Sequence, residues 1–188
     1  MNINKVTPDK HKYLQITSFI DKPPVTLYYC GTLPESRVPT VAIVGTRKPT
    51  AYGKEVTHRL AYDLAQQGII IVSGLALGVD GLAHQAALEA GGTTLAVLPC
   101  GLPKIYPARH RDLAAAIVAK GGALITEYTS DDEISYQSNF LERNRIVAGL
   151  ADAVLITEAA ARSGTLNTAA HALAQGKEVF VVPGNITS

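Results

Sequence analysis

The feature that most constrains the fold is a regular alternation. Short apolar runs, rich in β-branched residues, recur with one helix-length stretch between successive pairs. Strands are expected at 41–44, 69–72, 94–98, 123–126, 153–157 and 178–182. Helices are expected at 52–67, 80–90, 108–120, around 141–150 and at 165–175. Gly68, Gly91-Gly92, Gly121-Gly122 and Gly176 follow four of those helices, the position where a chain leaves a helix most easily. Five or six β-α units predict an α/β fold: a doubly wound, mainly parallel sheet in three α/β/α layers. In the first helix, Val56, Leu60, Tyr62, Leu64 and Ala65 are expected to face the core.

Residues 1–40 form an expected N-terminal extension with a lead-in strand at 25–30, and 41–188 the doubly wound domain. The extension is polar, with Tyr13, Leu14, Ile16, Phe19 and Ile20 as expected anchors. Pro23-Pro24 sets up the extended run. No helix follows the last strand, which reads as a shortened chain. Only 18% of residues are charged, against about 25% on average, as suits strands covered on both faces. Cys30 and Cys100 lack metal-ligand spacing and are expected as buried free thiols. The N-terminus carries no signal-like apolar core and no apolar run is long enough to span a bilayer, so a cytoplasmic location is expected. A net charge of +1 neither favours nor excludes a polyanionic partner.

At the centre of the alternation, residues 69–88 read IIIVSGLALGVDGLAHQAAL. A buried strand, a glycine-rich turn and a helix N-terminus together make a phosphate-binding arrangement. The Gly-x3-Gly-x2-Gly spacing matches neither the dinucleotide fingerprint nor the P-loop. A tight turn that binds nothing is the plain alternative.

In such sheets ligands bind beyond the carboxyl ends of the strands. There the sequence places Gly45-Thr46-Arg47-Lys48, then Ser73-Gly74 and Gly78. Beyond the third strand come Lys104, Tyr106, Arg109, His110 and Arg111. Glu127, Tyr128, Phe140 and Arg143-Asn144-Arg145 follow, then Glu158, Arg162-Ser163-Gly164-Thr165 and Asn185. Arginines beside glycine N–H groups suit phosphates, and Phe140 and Tyr128 offer stacking faces. Repeated phosphates with aromatics describe single-stranded nucleic acid better than one nucleotide. The bland alternatives stay open: Arg47 solvated, and Arg143 and Arg145 paired with Glu127, Glu142 or Glu158. Asp80 and His84 stand four apart on a helix without a third ligand, so no metal or other cofactor is expected. Asp80 is expected to accept from loop N–H groups, and His84 to contact phosphate or a neighbouring loop.

Together VAIVGTRKPTAYG, IIIVSGLALGVDGLAHQAAL, LAVLPCGLPKIYPARHRDL and FLERNRIVAGLADAVLITEAAARSGTLNTAAHALAQGKEVFVVPG resemble the DprA/Smf family, DNA processing protein A, from Val41 to Gly184. The resemblance implies an extended Rossmann-like domain that binds single-stranded DNA, protects incoming strands in natural transformation and helps load the recombinase RecA. It also implies a homodimer and no membrane or catalytic role. It places the family's glycine-loop arginine on Arg47, its Arg-Asn-Arg motif on Arg143, Asn144 and Arg145, its aromatic on Phe140, and its small-residue anion site on Ser73, Gly74, Ser163, Gly164 and Thr165. Two positions depart from the family pattern: Leu77 replaces an arginine, and Glu142 replaces a proline.

Two other functions remain as alternatives: a nucleotide-binding sensor, and a nucleoside-monophosphate phosphoribohydrolase-like enzyme. The related hydrolases carry a catalytic glutamate where this sequence has Thr168, which leaves Glu158 as the only nearby carboxylate for such chemistry.

Overall fold

A computed structural model describes residues 2–129, 138–160 and 163–184. Eight strands form one sheet. They are β1 (Asn4–Val6), β2 (Leu27–Gly31), β3 (Thr40–Val44), β4 (Ile70–Ser73), β5 (Thr94–Val97), β6 (Ala123–Thr126), β7 (Ala153–Ile156) and β8 (Glu178–Val181). Their spatial order is β1-β2-β6-β5-β4-β3-β7-β8. The six strands from β6 to β8 in that order are parallel, while β2 pairs antiparallel with both β6 and β1. The doubly wound, mainly parallel sheet expected from the alternation is therefore present. The polar β1 was not expected. It hydrogen-bonds along β2 and brings the N-terminal extension into the same sheet.

Helices α1 (Ala51–Gln66), α2 (Val79–Glu89) and α3 (Arg111–Ala119) follow β3, β4 and β5. Helix α4 (Ser138–Leu150) precedes β7 and α5 (Gly164–Ala174) follows it. Side chains alternate across each strand, and the two core faces follow that period of two. Ala42, Val44, Ile70, Val72, Leu95 and Val97 pack with Ile146, Val147 and Leu150 of α4. Ile43 and Ile71, in the positions between, pack with Ala61 and Ala65 of α1 and Ala83 and Ala87 of α2. Both faces are thus apolar, which is why the strands read as continuous hydrophobic runs.

Several expectations need correction. Of the residues expected to face the core from helix α1, Ala65 is buried and Tyr62 and Leu64, half-buried, pack against the core, whereas Val56 and Leu60 are half-buried and do not join it. The helix buries Gly53, Thr57, Ala61 and Ala65, an i, i+4 stripe of small residues in which Ala61 and Ala65 pack with α2 and Gly53 and Thr57 lie against Glu158 and Thr157. The Thr57 hydroxyl lies 2.6 Å from that of Thr157. In the extension, Leu14–Phe19 is a 3-10 helix. Its three-residue turn puts Leu14, Thr17 and Ile20 inward and leaves the expected anchor Phe19 80% exposed. The lead-in strand starts only at Leu27, because Val25, next to Pro23-Pro24, is outside the core. The single helix expected at 108–120 is a 3-10 turn, Ala108–His110, running into α3. Cys30 and Cys100 are buried free thiols.

The strand order reverses between β3 and β7. The β3-α1-β4 connection runs one way from that point and β7-α5-β8 runs the other. The loops at the carboxyl ends of β3 and β7 diverge there, which opens a crevice.

Candidate functional site

That crevice is a cavity of about 650 Å³. One wall comes from the loops after β3 and β4, with Gly45, Thr46, Arg47, Gly74, Ala76 and Asp80. The other comes from the first turns of α4 and α5, with Phe140, Arg143, Asn144, Ser163, Gly164 and Thr165. Ten of the expected site residues therefore line one cavity. Tyr106 and Thr168 also line it and were not among the expected ligands, and Val44, Leu141 and Val147 supply apolar surface.

The glycine wall is built by close approach. The Thr46 N–H donates to the Glu158 carbonyl (2.7 Å) and the Thr46 carbonyl accepts from Val79 N–H (3.1 Å). Gly78 closes this wall with φ 80° and ψ −127°, a conformation that essentially requires glycine. A Cβ there would stand 2.4 Å from the Thr46 carbonyl oxygen. The buried Asp80 carboxylate accepts from the Gly74 (3.1 Å) and Ala76 (3.4 Å) N–H groups, as expected. Burial raises its pKa, against the opposing pull of Arg143 and those two N–H groups. Arg47 projects from the wall, exposed, with its guanidinium carbon 5.3 Å from the Phe140 ring centroid. Tyr106 meets the same ring edge-on at 5.3 Å.

The Arg-Asn-Arg stretch behaves differently. Successive residues of an α-helix point about 100° apart, so three in a row cannot share one face. Arg143 turns to the ends of β4 and β5, where its Nη1 donates to the Gly74 carbonyl (2.7 Å) and to that of Val97. Only 4% of Arg143 is exposed, and burial lowers its pKa to about 10. Gly74 leaves space for it: a Cβ there would stand 2.6 Å from the guanidinium. Asn144 points to α5 and donates to Asn167 Oδ1 at 3.1 Å. Arg145 points away from the cavity. Its two terminal nitrogens donate to the two Glu127 oxygens at 2.7 Å each, and its Nε donates to the Lys22 carbonyl.

Four expected ligands do not line this cavity. Arg145 is held by Glu127. Ser73 is fully buried, and its hydroxyl donates to the Ile43 carbonyl at 2.6 Å. Gly78 faces an adjoining basin, and Lys104 lies outside both hollows. His84 contacts no ligand surface. It is fully buried, with Nδ1 2.6 Å from the Thr94 hydroxyl. Because that hydroxyl donates to the Ile71 carbonyl, Nδ1 carries the proton and donates to it. Asp80 and His84 therefore serve different partners. Arg162 and Asn185 lie outside the described residues.

Helix α5 opens into the cavity with Ser163 as its N-cap. The Ser163 hydroxyl is buried and has no partner among the described residues. The Leu166 N–H donates to the Ser163 carbonyl (3.1 Å), so it is the N–H groups at the very start of α5, with the Ser163 hydroxyl beside them, that suit an anion. Glu158 is committed elsewhere. Its carboxylate accepts from the Thr50 N–H and hydroxyl, both at 3.0 Å, at the start of α1, where a negative charge also offsets the helix dipole. Thr168 stands in the lining as an alcohol, not a carboxylate.

The family model for DNA recombination-mediator protein A matches residues 4–188. Protein Smf of Escherichia coli is 46% identical over 164 residues, 87% of this chain and 43% of that protein. The chain spans about half the length of the curated relatives it matches. A solved structure concerned with single-stranded DNA binding by Helicobacter pylori DNA processing protein A superposes with TM-score 0.86. It is 35% identical and covers 100% of this chain and 84% of that one. The Streptococcus pneumoniae DprA structure gives TM-score 0.88 at 35% identity, covering 99% and 65%. With 185 of 188 residues inside the family model, the chain belongs to the DprA/Smf family, the recombination-mediator protein A family.

Proposed function

We propose that this chain is a single-stranded DNA-binding domain that holds the DNA backbone in the crevice between β3 and β7. One observation carries the reading. The exposed Arg47 guanidinium, the Phe140 ring and the open N-terminus of α5 share one cavity. In this arrangement Arg47 neutralises a phosphate, the α5 N–H groups and the Ser163 hydroxyl take phosphate oxygens, and Phe140 offers its ring to a base. Arg143 contributes positive potential from the cavity floor. Stacking accepts any base, so sequence preference is weak. Helicobacter pylori DNA processing protein A has a single-stranded DNA binding mode, and its fold superposes along the whole chain, which supports the reading. By extension from the family, the domain protects incoming strands, assists RecA loading in transformation and recombination, acts as a homodimer and works in the cytoplasm. Among the described residues no helix is long and apolar enough to cross a membrane. The hydrolase alternative finds no uncommitted carboxylate in the cavity among the described residues: Asp80 accepts from the Gly74 and Ala76 N–H groups, Glu158 caps α1 and residue 168 is threonine.

Fluorescence anisotropy with labelled oligo-dT across a salt series, beside duplex DNA, tests the reading. Single strands should bind preferentially, with a log–log salt slope of about −0.7 for each phosphate neutralised. Preference for duplex, or binding insensitive to salt, overturns it.

A further inference from the structure

Beside the crevice lies a second basin of about 490 Å³ that the proposed function does not use. Arg47 lines both hollows, so they meet beneath its side chain. Lys48, Lys54 and Arg109 stand around the second basin, and among the described residues no aspartate or glutamate lines it. All three are exposed, and their side chains form no ion pair or hydrogen bond among the described residues. An isolated surface lysine is ordinarily just solvated. Here three cations from two separate elements, α1 with its preceding loop and the turn before α3, surround one concavity with no compensating acid. Their mutual repulsion costs stability, and a polyanion relieves it. The wall between them is neutral: Leu77, 37% exposed, and Gly78.

We propose that the second basin binds the adjoining phosphates of the same DNA strand, so that the strand passes from the crevice over Arg47 into the basin. Lys48, Lys54 and Arg109 are its cations there. The proposal rests on the single-stranded DNA reading and adds a second tract and a path between the two.

Oligonucleotide length separates the two tracts. An oligo-dT of about four nucleotides can occupy the crevice alone, whereas one of about fifteen can reach both hollows. The triple variant K48A/K54A/R109A should bind the short oligomer within about twofold of the parent. It should bind the long one about tenfold or more weakly, with a salt slope shallower by about 2. L77R adds a cation to the neutral wall and should tighten the long oligomer several-fold without changing the short one. K5A/K10A/K12A, which removes the same charge from the N-terminal extension, should change neither. Matching thermal melts confirm that these surface variants are folded. The second tract is overturned if the triple variant binds the long oligomer as the parent does, or if K5A/K10A/K12A weakens it equally. If the parent binds neither oligomer, the single-stranded DNA reading falls and takes the tract with it. If R47A weakens both oligomers while the triple variant weakens neither, the crevice stands and only the second tract falls.

Discussion

Arg47 and Arg143 reach the same cavity from opposite walls, and their charges are held in opposite ways. Arg47 is exposed on a glycine-built loop and rests against Phe140. Arg143 is 4% exposed, tied to the carbonyls of Gly74 and Val97, and shares its surroundings with Asp80. An exposed guanidinium keeps its donors for a ligand. A buried one must have them satisfied by the protein, because desolvating an unpaired charge costs several kcal/mol. Residue type alone therefore does not assign a DNA contact. Arg47 should meet the ligand, beside Phe140 and the α5 N-terminus, while Arg143 should hold the two walls of the cavity together.

The largest expected effect lies on the arginine wall. Arg143→Ala leaves two buried carbonyls and Asp80 without their cation and should cost about 3–5 kcal/mol of stability. Urea denaturation measures this directly. A loss below about 1 kcal/mol would mean that the Arg143 charge is not structural, and the contrast with Arg47 would collapse. On the opposite wall, Gly78→Ala forces a side chain into φ 80° and against the Thr46 carbonyl oxygen. About 2–3 kcal/mol is expected. The shift should also displace Arg47, so DNA affinity should fall further than in a variant of equal stability loss elsewhere. Affinity that merely tracks stability would show that the glycine wall does not position Arg47.

The contrast between the walls also explains what could be read from the sequence. The strands 41–44, 69–72 and 123–126 were legible because burial on both faces leaves unbroken apolar runs. The cavity was legible because glycines and hydroxyls follow those strands. The separate duties of Arg143, Asn144 and Arg145 were not. A contiguous polar triplet looks like one patch, whereas the helix turns its members towards β4 and β5, towards α5, and towards Glu127. The Asn4–Val6 strand and the inward face of the 3-10 helix were hidden for a related reason. Both are short, and the three-residue period of Leu14, Thr17 and Ile20 is neither a strand's nor an α-helix's. In α1 the small residues Gly53, Thr57 and Ala61 carry the packing, so a search for large apolar side chains picked the flanks.

The glycine wall rests on α2, and its buried His84 gives it an acid sensitivity. Burial, with His110 and Arg143 nearby, lowers the His84 pKa from 6.5 to about 3. The folded state therefore favours the neutral ring. This contribution is fully present above pH 6.5 and declines as pH falls towards 3. By pH 5 the loss amounts to about 2 kcal/mol. Asp80, whose pKa burial raises, acts in the opposite sense, so the informative quantity is the difference between parent and variant. His84→Gln should flatten the fall in unfolding free energy between pH 6.5 and 5. Parallel pH profiles for the two proteins would show that the ring is not held neutral.

The smallest effect on stability belongs to Arg47, and it is the sharpest test of the comparison. Arg47→Ala removes an exposed side chain with no carboxylate partner among the described residues, so unfolding free energy should change by no more than about 1 kcal/mol. Some loss of contact with Phe140 falls within that range, because an exposed cation–aromatic pair contributes about 0.5–1 kcal/mol at most. Affinity for oligo-dT should nevertheless drop, and the salt slope should become shallower by about 0.7, the signature of one lost phosphate contact. Substituting Lys should restore the slope but not the full affinity, since an ammonium keeps the charge without the planar face that rests on Phe140. Equal losses of stability at Arg47 and Arg143 would place both arginines in the scaffold, and the cation that meets the DNA would then have to be sought among Lys48, Lys54 and Arg109.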